Sequence, residues 1–242
     1  MNKEILKPVD GFAQSLFCSE LANIGTDIAE IGLDSILDIP LIKDVPVVKS
    51  LIALWHTGLS LKDRFELKKQ LTFIQQVRNG TVSEDAIERR RKAYQNGEAW
   101  YYKELETIVV YISRHARIEK VKMQAEFYLD YINGTISEEN YIECLDVLDS
   151  IFIGDASLLK TIYKEQLDFD THSGNFQERI ENIKTSFDST KCGRLNAVGL
   201  VSPISRGLMF GARIDNNYLI TELGKYFCEV TMRLVDGQPN AQ

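Results

Sequence analysis

The apolar stretch over residues 36–58, ILDIPLIKDVPVVKSLIALWHTG, constrains the fold of this chain more than any other segment. It contains Pro40 and Pro46, and proline disfavours helix at the residue before it, so a kink or a loop is expected here. Apolar residues then recur at helical spacing, which predicts one long amphipathic helix over 47–78. Gly58 lies inside that helix and marks a candidate kink or close contact.

Small residues recur at helical spacing in the preceding segment. Residues 12–35 have helical periodicity, and Gly25, Ala29 and Gly32 lie on one face of the predicted helix. Such a face lets another helix approach closely, either within a packed soluble core or as a seam for self-association or membrane contact. Acidic residues nearby argue against deep burial in lipid, because each charge is costly there. The residues assigned to this interaction are Gly25, Ala29, Gly32, Trp55 and Gly58.

Two junctions share one pattern, NGTVSED over 79–85 and NGTISEE over 133–139. Each predicts a helix end at a left-handed glycine, a short extended pair, a serine N-cap and an acidic first turn. Duplication of a helical hairpin and shared capping chemistry both explain this pattern. A calcium loop at the second junction is excluded, because Leu129, Tyr131 and Asn140 would replace the required oxygen ligands and the bidentate Glu.

Helical periodicity continues to residue 166. It predicts two helices between 81 and 115 that are separated at Gly97, followed by helices over 117–132, 138–153 and 156–166. The predicted core positions of the helix after Gly97 are Trp100, Leu105, Val109 and Ile112. The run Arg89–Lys92 is flanked by acids and is interpreted as a solvated helix face, and residues 167–176, which include His172, are predicted to be a linker.

The chain from residue 177 has a different pattern. A short helix capped at Ser189-Thr190 precedes two β-like runs, LMFGARI and YLIT, with a turn signal at 215–217, and Thr221 then caps a final helix. This order resembles the closing half of bacterial winged-helix regulators. Winged helices bind DNA or proteins, so both partners stay open. The candidate DNA contacts, fewer than a DNA reader usually carries, are Lys191, Arg194, Arg206 and Arg213.

Longer blocks also resemble a known family. DVPVVKSLIALWHTGLSLKDRFELKKQLTFI and YLDYINGTISEENYIECLDVLDSIFIGD, followed by GLV and YLITELGKYF, occur here in that order. Together they resemble a widespread family of uncharacterised bacterial helical proteins, some of them associated with phage defence and abortive infection. The resemblance implies a bacterial, cytosolic protein with a part in antiviral defence. It brings no active-site residues with it.

Composition and motifs narrow the function classes. The net charge of -7 argues against a general polyanion binder, because such binding requires phosphates to be neutralised. The four cysteines (Cys18, Cys144, Cys192 and Cys228) are scattered and predict free thiols. No secretory signal and no apolar run of about 20 residues is present. The chain also lacks a phosphate loop, GxSxG and HExxH, so no catalytic residue, metal or cofactor is predicted.

These observations lead to one main hypothesis. We expect a mainly α chain with a helical-hairpin body over 1–170 and a small winged-helix-like α+β module over 177–242. The expected function is that of a non-enzymatic defence or toxicity protein, which acts by self-association or membrane contact through the apolar N-terminal segment 12–58. The alternatives are a DNA-binding regulator and a scaffold that docks a protein through 177–242. The expected location is the cytoplasm, with a membrane-surface state left open.

Overall fold

The computed structural model describes residues 8–16, 27–54, 60–172, 188–203 and 218–236. The described residues are mostly helical, with a small two-stranded antiparallel sheet near the C-terminus, which confirms the predicted fold class. In chain order the α-helices are α1 (Pro8–Leu16), α2 (Pro40–Lys43), α3 (Pro46–Leu54), α4 (Leu61–Asn79), α5 (Glu84–Asn96), α6 (Ala99–Arg114), α7 (Ile118–Ile132), α8 (Glu138–Ser150), α9 (Ile153–His172), α10 (Ser189–Ala197) and α11 (Glu222–Asp236). Short 3-10 helices span Ile28–Glu30 and Ile36–Asp38, and the strands are β1 (Val201–Pro203) and β2 (Tyr218–Ile220).

The chain divides into two compact units, Met1–Leu145 and Asp146–Gln242. The predicted domains over 1–170 and 177–242 stay a prediction. None of the described helices combines the length and the apolar character that crossing a membrane requires.

The core of the first unit lies where α4 packs against α7 and α1. The rings of Phe12 and Phe73 have centroids 5.9 Å apart, and those of Phe73 and Tyr128 lie 5.7 Å apart. All three side chains are buried. Aromatic residues bury large apolar areas, so this chain of rings joins α1, α4 and α7 into one hydrophobic core.

Helices α1 and α3 pack at close range through small residues. A Cβ atom added to Gly11 would lie 2.4 Å from the Ser50 Oγ atom, so only glycine fits at this contact. The buried Ser15 hydroxyl donates to the Gly11 carbonyl (2.7 Å) and accepts from the Val47 N–H (2.8 Å). The small residues that bring these helices together are therefore Gly11, Ser15 and Ser50, which the sequence analysis did not single out.

The predicted helix over 47–78 is two helices. Residue Ser60 has an extended backbone and forms a capping box with Asp63, in which the Asp63 N–H donates to the Ser60 hydroxyl and the Ser60 N–H donates to the Asp63 carboxylate. A capping box satisfies the free N–H groups of a helix start, so α4 begins at Leu61. Gly58 lies outside the described residues.

The helix predicted over 12–35 is also interrupted. Residues Ile28–Glu30 form a 3-10 turn that is capped by the Asp27 carboxylate, and Ile31 is extended. Because the spacing of an α-helix is absent here, Ala29 and Gly32 do not share a helical face. Gly25 lies outside the described residues.

The two Asn-Gly junctions differ in backbone conformation but contact each other. Gly134 is left-handed (φ 77°), as predicted, whereas Gly80 is extended (φ -77°), so the predicted left-handed cap at Gly80 is wrong. The Asn133 side chain accepts from the Ser83 N–H (3.0 Å) and donates to the Thr81 carbonyl (2.8 Å). The Asn133 side chain therefore fixes the backbone of the first junction. The two similar sequences, 79–85 and 133–139, are in contact with each other in the folded chain.

Helices α5 to α9 agree with the predicted order and differ in detail. Gly97 is left-handed and ends α5, as predicted. In α6 the predicted core positions Leu105 and Ile112 are buried, together with Tyr101 and Ile108, whereas Trp100 and Val109, also assigned to the core, are only half-buried. Helix α9 extends to His172, so the predicted linker is helical over its first residues.

The second unit contains the strand pair and the final helix. Strand β1 pairs with β2 in antiparallel register, with Val201 opposite Ile220. The predicted run LMFGARI lies outside the described residues. The cap of α10 is Asp188, whose carboxylate accepts from the Thr190 and Lys191 N–H groups, and not Ser189-Thr190. Thr221 caps α11, as predicted, by accepting from the Gly224 N–H (3.0 Å).

Candidate functional site

The structure places only part of the predicted interaction surface. Ala29 is half-buried and Gly32 is exposed. Trp55 and Gly58 lie outside the described residues, as does Gly25. The assignment of these five residues to self-association or membrane contact stays a prediction.

Large aliphatic side chains are exposed within the apolar stretch and just after it. Leu41 is 45% exposed, Ile52 is 46% exposed and Leu61 is 69% exposed. They belong to α2, α3 and the first turn of α4. Covering exposed aliphatic surface with a partner surface stabilises the complex by about 25 cal/mol for each Å² removed from water.

Of the predicted DNA contacts, Arg194 is already bound within the second unit. Its guanidinium donates from Nε and Nη2 to the two oxygens of Asp155, each at 2.7 Å. Asp155 has a buried carboxylate, and the Arg194 guanidinium also lies 5.1 Å from the centre of the Phe152 ring. This hydrogen bond raises the pKa of Arg194. Asp155 therefore balances the charge of Arg194 and takes two of its five N–H donors, which weakens Arg194 as a phosphate contact.

The other predicted DNA contacts are Lys191, Arg206 and Arg213, and the structure describes only Lys191. Lys191 is half-buried in the first turn of α10, where its N–H is part of the Asp188 cap. Arg206 and Arg213 lie outside the described residues. Their contact with nucleic acid stays a prediction.

A buried ion pair in the first unit was missed by the sequence analysis. Arg90 donates from Nε and Nη2 to Glu104 at 2.8 Å and 3.1 Å, and their side chains are 8% and 7% exposed. The prediction of a solvated face over 89–92 is therefore wrong for Arg90. A signal was present, because Ala86, Arg90 and Ala93 follow helical spacing and form the buried face of α5.

Tyrosines surround this ion pair. The Tyr128 hydroxyl donates to Glu104 (2.7 Å), and the rings of Tyr131 and Tyr141 stack at 5.1 Å. Burial, and then the charge of Glu104, raises the pKa of Tyr131 to about 12 and also raises that of Tyr128. Both phenols therefore stay protonated near neutral pH and act as hydrogen-bond donors, not as bases. The cluster is suited to holding α5, α6 and α7 together.

Cavities lie on two sides of this cluster. A cleft of about 480 Å³ is lined by Trp100, Lys103, Tyr131 and Glu138, among others. A pocket of about 210 Å³, named here the Arg78 pocket, lies between α1, α4, α5 and α7. Its lining residues are Leu16, Val77, Arg78, Gly80, Val82, Ala86, Ile87, Arg90, Tyr128 and Ile132.

The cysteines of the described residues are poor nucleophiles. Cys144, Cys192 and Cys228 are free and buried, and Cys18 lies outside the described residues. Burial is the largest cause that raises the pKa of Cys144 and of Cys228 to about 12, and it also raises the pKa of Cys192. A thiolate is the reactive form of cysteine, so these thiols are inert near neutral pH. Within the described ranges no group of three His, Cys, Asp or Glu side chains is placed to hold a metal ion.

Comparison with protein-family models, with curated proteins and with solved structures found no match to this chain.

Proposed function

We propose that this chain is a non-enzymatic bacterial defence protein that acts by self-association or membrane contact through its N-terminal apolar segment. The observation that carries this proposal is the exposure of Leu41 and Ile52 within that segment and of Leu61 just after it. They account for three of the six large apolar side chains that are exposed among the described residues, within a short part of the chain. Contiguous exposed apolar surface is characteristic of interaction sites, and these three side chains are close in the chain. The defence context rests on the resemblance of the sequence blocks.

The chemistry of the interior supports a non-enzymatic role. Arg90 and Glu104, two buried ionisable groups of the first unit, are engaged with each other. The buried thiols described above are protonated near neutral pH. An enzyme needs a positioned nucleophile, acid or base that can change its protonation state. The groups gathered here stabilise the fold instead.

A pair of matched triple variants tests the proposal. The first replaces Leu41, Ile52 and Leu61 with Gln, and the control replaces Val110, Phe152 and Leu167, which are similarly exposed at 46%, 62% and 51%. Liposome flotation, dye leakage and light scattering are measured on the purified proteins, and protection against phage is measured in cells.

The wild type is expected to float with liposomes or to form an oligomer, and the first triple variant to lose this behaviour together with protection. The control triple variant is expected to behave as the wild type. A wild-type protein that neither binds lipid nor self-associates would overturn the proposal, and so would equal losses in the two variants.

The second candidate is a winged-helix regulator or scaffold. The antiparallel pairing of β1 with β2, followed by the Thr221-capped α11, favours it. The Asp155 carboxylate that occupies Arg194 favours a protein partner over DNA. A gel shift at low salt, where phosphate contacts are strongest, separates the two. Binding that falls in Lys191→Ala supports DNA, and no shift at low salt excludes it.

A further inference from the structure

We propose that the Arg78 pocket binds a small amphipathic molecule that carries one carboxylate on an apolar body. This inference stands on geometry in the first unit and does not depend on the proposed function.

The walls of the pocket select the apolar body. Six of its lining side chains are aliphatic: Leu16, Val77, Val82, Ala86, Ile87 and Ile132. Aliphatic walls favour an apolar group because its transfer from water gains free energy in proportion to the area that is buried.

The polar end of the ligand is selected by Arg78. The Nε atom of Arg78 is buried and has no hydrogen-bond partner among the described residues, while the residue as a whole is half-buried. Buried donors in folded proteins almost always have a partner, so a buried guanidinium N–H without one requires an explanation. Arg90, which also lines the pocket, has its donors directed at Glu104. Arg78 lines the pocket and, unlike Arg90, has no carboxylate partner among the described residues, and the planar fork of arginine matches the two oxygens of a carboxylate.

The charge of the ligand follows from the charges of the side chains around the pocket. Arg78 and Arg90 bring two positive charges, and Glu104 neutralises one of them. No acidic side chain is among the described residues that line the pocket. A single negative charge balances the remaining one, whereas a dianion would leave an unpaired negative charge beside the aliphatic walls.

The size of the ligand follows from the volume of about 210 Å³. An apolar cavity of about 150 Å³ accepts benzene. The Arg78 pocket has room for one ring or a short alkyl chain with its carboxylate, and it is too small for a peptide helix. The class is therefore that of aryl or short-chain alkyl monocarboxylates.

Calorimetry on the full chain tests this proposal with benzoate, phenylacetate and hexanoate as probes. Each acid is paired with its uncharged amide, which has nearly the same shape. Charge-assisted hydrogen bonds contribute about 1.5–3 kcal/mol, so at least one acid is expected to bind the wild type about tenfold or more tightly than its amide. The backbone N–H signals of Gly80 and Val82 are expected to shift in nuclear magnetic resonance spectra of that complex.

Variants locate the site. Arg78→Gln is expected to remove the preference for the acid, Arg78→Lys to keep part of it, and Val82→Phe to block binding by filling the pocket. Arg91→Gln is the control, because Arg91 is an exposed arginine (48%) on α5 that does not line the pocket. The proposal is overturned if no acid binds at millimolar concentration, if acid and amide bind equally, or if Arg78→Gln keeps the preference.

Discussion

Single residues decide how the polar interior of the first unit is satisfied. The Glu104 carboxylate accepts hydrogen bonds from Arg90 and from Tyr128, and it is almost completely buried. Removing one partner of a buried ion pair leaves an uncompensated charge, which costs far more than breaking an exposed pair. The cost of substituting a charged residue therefore depends on how deeply its ion pair is buried, and not on the ion pair alone.

Glu104→Gln is expected to lower the free energy of unfolding by about 3–5 kcal/mol. The glutamine keeps the shape of the side chain but leaves Arg90 as a buried charge without a counterion. Glu88→Gln is the control, because Glu88 is 48% exposed and pairs with Arg91, and its cost is expected to stay below about 1 kcal/mol. Urea unfolding monitored by circular dichroism measures both. Similar costs for the two variants would contradict the burial argument.

Elements of the second unit pack closely enough for one glycine to set their distance. Gly224 lies in α11, and a Cβ atom there would lie 2.1 Å from the Leu200 carbonyl oxygen, which belongs to the backbone. Gly193 lies in α10, where a Cβ atom would meet no atom of the described residues within 4 Å. Helix propensity alone treats the two glycines alike, and packing separates them.

The two Gly→Ala variants are expected to change the free energy of unfolding in opposite directions. Gly193→Ala should stabilise the protein by about 0.5–1 kcal/mol, because alanine is the better helix former. Gly224→Ala should destabilise it by about 1–3 kcal/mol, because the backbone at Leu200 has to move. Thermal unfolding gives the signs, and amide exchange of the Thr221 N–H, which donates to the Leu200 carbonyl, locates the effect. A stabilising Gly224→Ala would show that α11 does not approach Leu200 so closely.

At the scale of the whole molecule, buried weak acids in both units link stability to alkaline pH. Cys144 lies in the first unit and Cys228 in the second, and burial is the main cause that raises each thiol pKa from 9.0 to about 12. Because the native state holds these protons more tightly than the unfolded state, their contribution is complete below about pH 9. It is lost as pH rises toward 12.

The free energy of unfolding is therefore expected to fall between about pH 9 and pH 12. The double variant Cys144→Ala with Cys228→Ala should show a shallower fall from pH 9, while the decline above pH 10 that comes from Tyr131 should remain. Urea unfolding at several pH values measures the two curves. Identical slopes in the wild type and the double variant would contradict the assignment to these thiols.

Much of the fold was accessible from local patterns. Ser83 and Gly97 start and end α5, and Gly134 takes the left-handed conformation that its junction predicts. The helical periodicity also located α7 and the final helix with its Thr221 cap. Capping and periodicity depend on residues within one or two turns of each other, so the sequence carries them directly.

The sequence by itself determined the mainly helical class, the helix order and most of the caps, because these rest on short-range hydrogen bonds and spacing. Only the tertiary structure decided that Arg90 is buried against Glu104, that Gly80 is extended and that Arg194 binds Asp155. Each of these depends on a partner on another element or at a distant position. The partner in each case is set by how the helices pack, and no local pattern identifies that partner.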